Sequence, residues 1–170
     1  ITRTYCGFGT GINSQTGMIG LKVVFAPVKQ VMVHFAAGSG GWGNKVSIAA
    51  EYLINPLRGW GVGFGYSYFP GVRDFEQELD VKSGISGSGK QKVKLELQST
   101  STVNLIFAYH KLFKNKGRFG IDLGFCMGLD EKPYKVKDPS IVLSEESEAV
   151  MDMLTPGGLI FGIHYSFGLK

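Results

Sequence analysis

The chain reads as an all-β protein, an eight-stranded antiparallel up-and-down transmembrane β-barrel, and three observations lead there. Near the C-terminus Leu159, Phe161, Ile163, Tyr165, Phe167 and Leu169 are large and apolar. The positions between them, Gly158, Gly162, His164, Ser166 and Gly168, are small or polar, with Ile160 the exception. Strict period two gives a strand one apolar face. The same pattern recurs in seven more segments. Short and long connections alternate between the segments, which is the arrangement of an outer-membrane barrel.

Taken in order, the first strand covers Ile1 to Gly11 and is the least regular, because Arg3 shares parity with Tyr5. The second, Met18 to Ala26, carries Ile19, Leu21, Val23 and Phe25 on one face. The third, Gln30 to Ala37, carries Val31, Val33, Phe35 and Ala37; the fourth, Lys45 to Asn55, carries Val46, Ile48, Ala50, Tyr52 and Ile54. The fifth, Gly59 to Pro70, presents Trp60, Val62, Phe64, Tyr66 and Tyr68. The sixth, Gln98 to Leu112, presents Val103, Leu105, Phe107 and Tyr109; the seventh, Arg118 to Gly128, presents Phe119, Ile121, Leu123, Phe125 and Met127.

Pro27-Val28-Lys29, Asn55-Pro56-Leu57-Arg58-Gly59 and Lys114-Asn115-Lys116-Gly117 are rich in turn formers and close the short connections. The long connections are 71–97 and 128–156, both expected on the extracellular side of a single domain spanning 1–170, with the termini periplasmic. Residues 73–82 and 90–97 alternate around Gly84-Ile85-Ser86-Gly87-Ser88-Gly89, so the fifth and sixth strands are expected to continue outward as a twisted hairpin. Ser144-Glu145-Glu146 followed by Val150, Met151 and Leu154 predicts a short capped helix in the last loop.

Composition alone would suggest a soluble protein. Hydrophobic residues make up 44% of the 170, and no run approaches the roughly 20 apolar residues of a membrane helix. Alternating strands average their signal away, however. The chain shows no signal peptide, as expected of the mature part of a secreted protein. A soluble barrel keeps its apolar face inside and many charges outside. Here the second face is Gly, Ala, Ser, Asn and His, with Lys22, Lys45, Glu51 and Asp122 as its few charges. That face suits a narrow interior. The aromatic-rich face then meets lipid, with Tyr52, Trp60, Tyr66, Tyr68, Tyr109, Tyr165 and Phe167 as girdles at its two rims.

Inward parity collects Lys22, His34, Glu51, Asn104, Asp122 and His164. Unpaired charge at membrane depth is costly, so these residues are expected to pair and to form a polar plug. The short turns carry Lys29, Arg58, Lys111, Lys114, Lys116 and Arg118 and no acid, a basic periplasmic rim suited to lipid headgroups or an acidic partner. Loop 128–156 carries three lysines against seven acids, and loop 71–97 balances five against five. Cys6 and Cys126 fall on the first and seventh strands, which are not neighbours, and are expected to be free thiols facing inward.

Catalysis finds little support. His164-Tyr165-Ser166 resembles the His-x-Ser of outer-membrane lipid A deacylases, but both residues face inward by parity. The long loops contain Ser and no His, which counts against palmitoyl transfer. Gly38-Ser39-Gly40-Gly41-Trp42-Gly43 lacks the strand–helix context and the Lys of a phosphate loop. No cofactor or metal is expected.

Gly162, Tyr165 and Phe167 resemble the C-terminal signal of bacterial outer-membrane barrels, a Gly with aromatics at plus three and plus five. The match departs at Ile160, where that signal prefers a polar residue, and in the Gly168-Leu169-Lys170 that follows. The chain as a whole resembles small barrels of the OmpA/OmpX class, and its Gly- and aromatic-rich style is similar to that of Bacteroidota. The resemblance implies the bacterial outer membrane, with lipid bilayer and lipopolysaccharide as surroundings, other outer-membrane or periplasmic proteins as partners, and no nucleic acid. It favours a non-enzymatic structural or accessory subunit of a secretion or barrel-assembly machine. The alternative is a free-standing OmpX-like surface protein binding ligands or host factors through loops 71–97 and 128–156. A lipid A-modifying enzyme is a distant third.

Overall fold

Eight of the strands hydrogen-bond side by side until the last one meets the first. The computed structural model describes residues 3–83 and 89–169. The chain runs β1 (Thr4–Ile12), β2 (Ile19–Val28), β3 (Val31–Gly40), β4 (Gly43–Leu53), β5 (Arg58–Phe69), β6 (Val72–Ser83), β7 (Gly89–Leu97) and β8 (Thr100–Leu112). It continues with β9 (Gly117–Gly128), β10 (Tyr134–Val136), β11 (Val142–Leu143), α1 (Glu145–Leu154) and β12 (Gly158–Gly168). The barrel order is β1-β12-β9-β8-β5-β4-β3-β2, all antiparallel, and it closes where Cys6 lies opposite Phe167 on one side and Val23 on the other.

The predicted alternation becomes the two faces of this wall. Leu21, Ile48, Val62, Phe64, Phe107, Phe125 and Phe161 stand exposed on the outside, while their sequence neighbours are buried within. Ile160, the break in the pattern, points inward and packs with Ala49, Ile106, Ala108 and Cys126. Among the described residues the first strand begins at Thr4; Ile1 and Thr2, where its predicted start falls, lie outside them. In it Tyr5 is the inward residue, at 0% exposure, and Cys6 is exposed on the outer wall. The expectation of two inward thiols therefore holds only for Cys126. The irregular parity at Arg3 and Tyr5 is the reason: Tyr5 is large and amphipathic, and it takes the interior place.

The two long connections do not prolong the barrel. They meet above it in a second sheet of order β10-β7-β6-β11, here called the head. The barrel ends at Phe69 because Pro70 has no N–H for the ladder and Gly71 turns at φ +81, where a Cβ would lie 2.2 Å from Leu97 O. β6 and β7 do form the predicted hairpin; Gly84 to Ser88 of its turn lie outside the described residues. On its outer face Glu76, Glu78 and Asp80 of β6 stand opposite Lys94, Lys92 and Lys90 of β7, which is how the segment's charges come to balance. On its inner face Leu79, Val81, Val93, Leu95 and Leu97 form a core with Leu143 and Met151.

Met151 reaches that core from α1, the helix predicted in the last loop. Ser144 is its N-cap, with Oγ accepting from Ser147 N at 3.2 Å, and Glu145, Glu146 and Glu148 occupy the first turn. A capping oxygen and early acids satisfy the free amides and the positive end of the helix dipole. Trp42, from the β3–β4 turn, and Phe69 join the same core, and Trp42 Nε1 donates to Gln98 O at 3.1 Å. The head is thus fastened to the barrel mouth by shared apolar contacts.

Three exposed ion pairs tie segment 128–156 together and to the hairpin: Lys137–Asp74, Lys82–Glu145 and Lys132–Glu148. Hydrogen bonding to Lys137 and Lys82, reinforced by their charge, holds the Asp74 and Glu145 carboxyls below their ordinary values of 3.8 and 4.5. A carboxyl with a depressed folded-state value stabilises the fold above its ordinary value, and the contribution is lost as pH falls through the depressed one. Hydrogen exchange, corrected for intrinsic rates, should show amide protection in 128–156 falling as pH drops below about 4 while barrel strands keep theirs. Equal loss in both would contradict this.

Candidate functional site

The interior is built on glycine. Between β1 and β2 the chain does not loop outward at the mouth. It turns down into the barrel, so that Ser14, Gln15 and Thr16 are buried at 2, 4 and 3% exposure. Asn13 at φ 51 and Gly17 at φ +68 reverse the backbone at the two ends of this dip. The walls around it lack side chains. A Cβ on Gly9 would lie 2.7 Å from Thr16 Oγ1, one on Gly20 would lie 2.5 Å from Thr16 O, and one on Gly162 would lie 2.8 Å from Ser14 Cβ. Gly38 faces Thr16 O still more closely. The inward loop is held by polar contacts: Gln15 Nε2 donates to Glu51 Oε1 at 3.2 Å, Lys45 Nζ donates to Ser14 O at 2.6 Å, and Asn13 Nδ2 donates to Gly157 O and Leu159 O.

Below the loop lie the six predicted interior residues, all buried: Lys22, His34, Glu51, Asn104, Asp122 and His164. Two ion-pair contacts organise them, His34 Nε2 to Glu51 Oε2 at 3.1 Å and His164 Nε2 to Asp122 Oδ1 at 3.2 Å. The neighbours again give way: the His164 ring lies over Gly120, and Glu51 leans across Gly63. Asn104 belongs to a separate neutral chain, with Nδ2 donating to Ser67 Oγ at 2.9 Å, Ser47 Oγ donating to the same oxygen at 2.9 Å, and Oδ1 accepting from Thr102 Oγ1 at 3.2 Å. The predicted pairing holds for the acids and histidines; Lys22 has no carboxylate within ion-pair distance among the described residues, and Asn104 joins its own partners.

The end of the barrel with the short turns is sealed by apolar packing of Tyr5, Val24, Ala26, Met32 and Leu53. Arg118 belongs to this seal. The sequence places it on the basic rim, beside the turn that precedes it, but its side chain is 2% exposed and enters the barrel. Its guanidinium stacks 5.3 Å from the Tyr5 ring and donates to Pro56 O at 3.1 Å. Position 118 has inward parity in β9, and an arginine there satisfies turn carbonyls from within. His110 does the same through Nε2 and Asn55 O at 2.7 Å. Lys29, Arg58, Lys111, Lys114 and Lys116 remain exposed at that rim.

The aromatic residues are unequally shared between the two ends. Tyr52, Trp60, Tyr109, Tyr165 and Phe167 lie towards the short-turn end; Tyr66 and Tyr68 lie towards the mouth. Trp60 and Tyr109 meet edge to face at 5.4 Å, as do Tyr165 and Phe167 at 4.9 Å. Rim cations rest on the same belt: Arg58 Nε donates to Tyr109 Oη at 2.9 Å, and Lys111 Nζ sits 5.2 Å from the centre of the Phe113 ring.

The interior as a whole is filled. The inward loop closes the mouth, ion pairs and amides occupy the middle, and the Tyr5 cluster closes the far end. His164 and Ser166, the His-x-Ser pair, are both buried on this inner face. Among the described residues no three His, Cys, Asp or Glu side chains are placed to hold a metal ion. The inward loop went unseen in the sequence; its signal was the set of glycines at inward positions of four different strands, Gly9, Gly20, Gly38 and Gly162. Compared with known protein families and with curated proteins, the chain matches none.

Removing one member of a buried pair strands the other. Asp122→Ala should cost about 3–5 kcal/mol in equilibrium unfolding of the refolded barrel, and pairing Asp122→Leu with His164→Leu should recover most of it. The cradle is testable by labelling. In a Cys6→Ser, Cys126→Ser background, Thr16→Cys should resist maleimide, and adding Gly38→Val should make it react within minutes by expelling the loop. A Thr16→Cys thiol that labels equally in both would contradict the cradle.

Proposed function

We propose that this chain is an integral bacterial outer-membrane protein of the small OmpA/OmpX-like kind, with its termini in the periplasm and a Bacteroidota-style sequence. In this reading the barrel is an anchor without enzymatic activity, and the head is the part that works, presented outside the cell to bind ligands or host factors. The observation that carries the reading is the inversion of the barrel: a continuous apolar outer wall around a polar, filled interior. Water does not tolerate apolar patches beyond a few hundred Å² on a monomer, whereas a bilayer requires them. The barrel strands, nine to 13 residues long, match or exceed the roughly 9–11 residues that a tilted strand needs to cross. Rim cations stacked on aromatics fit the headgroup level.

The filled interior argues for an anchor rather than a conduit. The head supports a binding role because the two long loops fold into one sheet with its own core, and a prefolded surface binds without first losing loop entropy. A second reading, an accessory subunit of a secretion or barrel-assembly machine, is favoured by a shallow apolar groove of about 330 Å³ on the outer wall. Ala50 forms its floor between Tyr52, Val62, Phe64 and Leu105, and a neighbouring barrel or helix could seat there.

In cells, the protein should fractionate with the outer membrane and migrate differently on gels before and after boiling. Trypsin added to intact cells should cut in the head, at Arg73–Lys94 or Lys132–Lys137, and leave the barrel whole. In planar bilayers it should show no sustained conductance. Resistance of the head to external protease in intact cells, with cleavage after lysis, would sink the surface reading. Stoichiometric co-purification with large envelope proteins in mild detergent would move the assignment to the accessory subunit.

A further inference from the structure

At the mouth, between the inward loop, the β3–β4 turn and the end of α1, a cleft of about 190 Å³ opens beside the outer wall. Trp42, Phe69, Met18, Met153 and Leu154 line it, and so does Lys45. This volume exceeds the roughly 150 Å³ of an engineered apolar cavity that takes up benzene. Two of its features are at odds with a mere packing defect. Met153 stands 87% exposed at its edge and Met18 63% exposed. Lys45 is 2% exposed yet has no carboxylate within ion-pair distance among the described residues. Its ammonium donates to Ser14 O at 2.6 Å and lies 4.9 Å from the centre of the Phe69 ring.

A buried charge is ordinarily paired, and an ammonium has three hydrogens to donate. Among the described interior residues the two carboxylate–base contacts each join an acid to a histidine, and Lys22, also buried, makes none. Lys45 offers a positive charge to this apolar cleft. We propose that the cleft binds a fatty acid, with its carboxylate on Lys45 Nζ and its first methylenes against Trp42, Phe69 and Met18. Flexible, polarizable methionine side chains suit a chain of variable shape. The outer lip continues into Ile12, Ile19 and Leu159, which are exposed at the upper end of the apolar wall, so the remainder of the chain has an apolar surface to lie on. A carboxylate is preferred to a larger anionic head because Lys45 is almost fully buried and its ammonium already donates to Ser14 O.

The protein has two tryptophans, and Trp60 lies on the outer wall at the opposite end. In Trp60→Phe protein reconstituted in nanodiscs, Trp42 alone reports, and bromine quenches it on contact. Titration with a bromo-fatty acid should give saturable quenching at least about tenfold tighter than titration with the bromo-alcohol of equal length, which lacks the charge-assisted bond. Lys45→Met should make acid and alcohol alike. Met153→Gln, at an exposed position that the fold does not need, should weaken the acid several-fold. Non-saturating quenching, equal affinity for acid and alcohol, or a preference that survives Lys45→Met would overturn the proposal. If Lys45→Met fails to refold, unchanged affinity in Met153→Gln overturns it. The proposal rests on the cleft and not on the bilayer. Failure to enter nanodiscs would count against the membrane reading, and the same titration in detergent-free buffer would still decide the fatty-acid site.

Discussion

An eight-stranded barrel encloses a space only as wide as the side chains that fill it, and the rest of this structure follows from how that space is shared out. The wall needs strands that alternate, and alternation puts half of all strand residues inside. Large residues at every inward position would not fit. The chain answers with glycine at many of them, and each glycine makes room for a specific neighbour: Gly120 for the His164 ring, Gly63 for Glu51, and Gly9, Gly20, Gly38 and Gly162 for the inward loop. Glycine at these inward positions is thus a packing requirement more than a sign of flexibility.

Burial of so many polar groups raises the stakes of pairing. In a low-dielectric interior a satisfied network fixes one arrangement and a half-satisfied one is costly. The two acids are each matched to a histidine, Asn104 is matched to hydroxyls, and Arg118 and His110 are spent on turn carbonyls. Lys22 and Lys45 are both buried with no carboxylate in ion-pair distance among the described residues, but only Lys45 lines the mouth cleft.

The head illustrates a different principle. Its two segments are 30 residues apart in sequence. Together they supply both sides of one core, with Leu79, Val81, Val93 and Leu95 from the hairpin and Leu143 and Met151 from the last loop. Barrel closure brings them together, since β5, β8, β9 and β12 are neighbours in the wall and deliver all four chain ends to the same side. Trp42 and Phe69 then lock the head to the mouth, so that the surface it presents is held in one orientation.

Period two alone determined the wall beyond its first strand: which residues face out, and that the six predicted polar residues lie within. That signal is local, because a strand's faces alternate whatever its partners are. The helix was legible for the same reason, since Ser144 and the acids after it cap a terminus within one turn. Only the tertiary structure decided the remainder. Parity puts position 118 on the inward face and leaves the first strand's register irregular, but it does not tell that Tyr5 fills the interior at the strand start or that Arg118 meets Pro56 and Tyr5 there. Those outcomes depend on what reaches the same space from strands far away in the chain. The inward loop and the head belong to the same class: their contacts join residues from different strands and loops, and such contacts exist only once the barrel has closed.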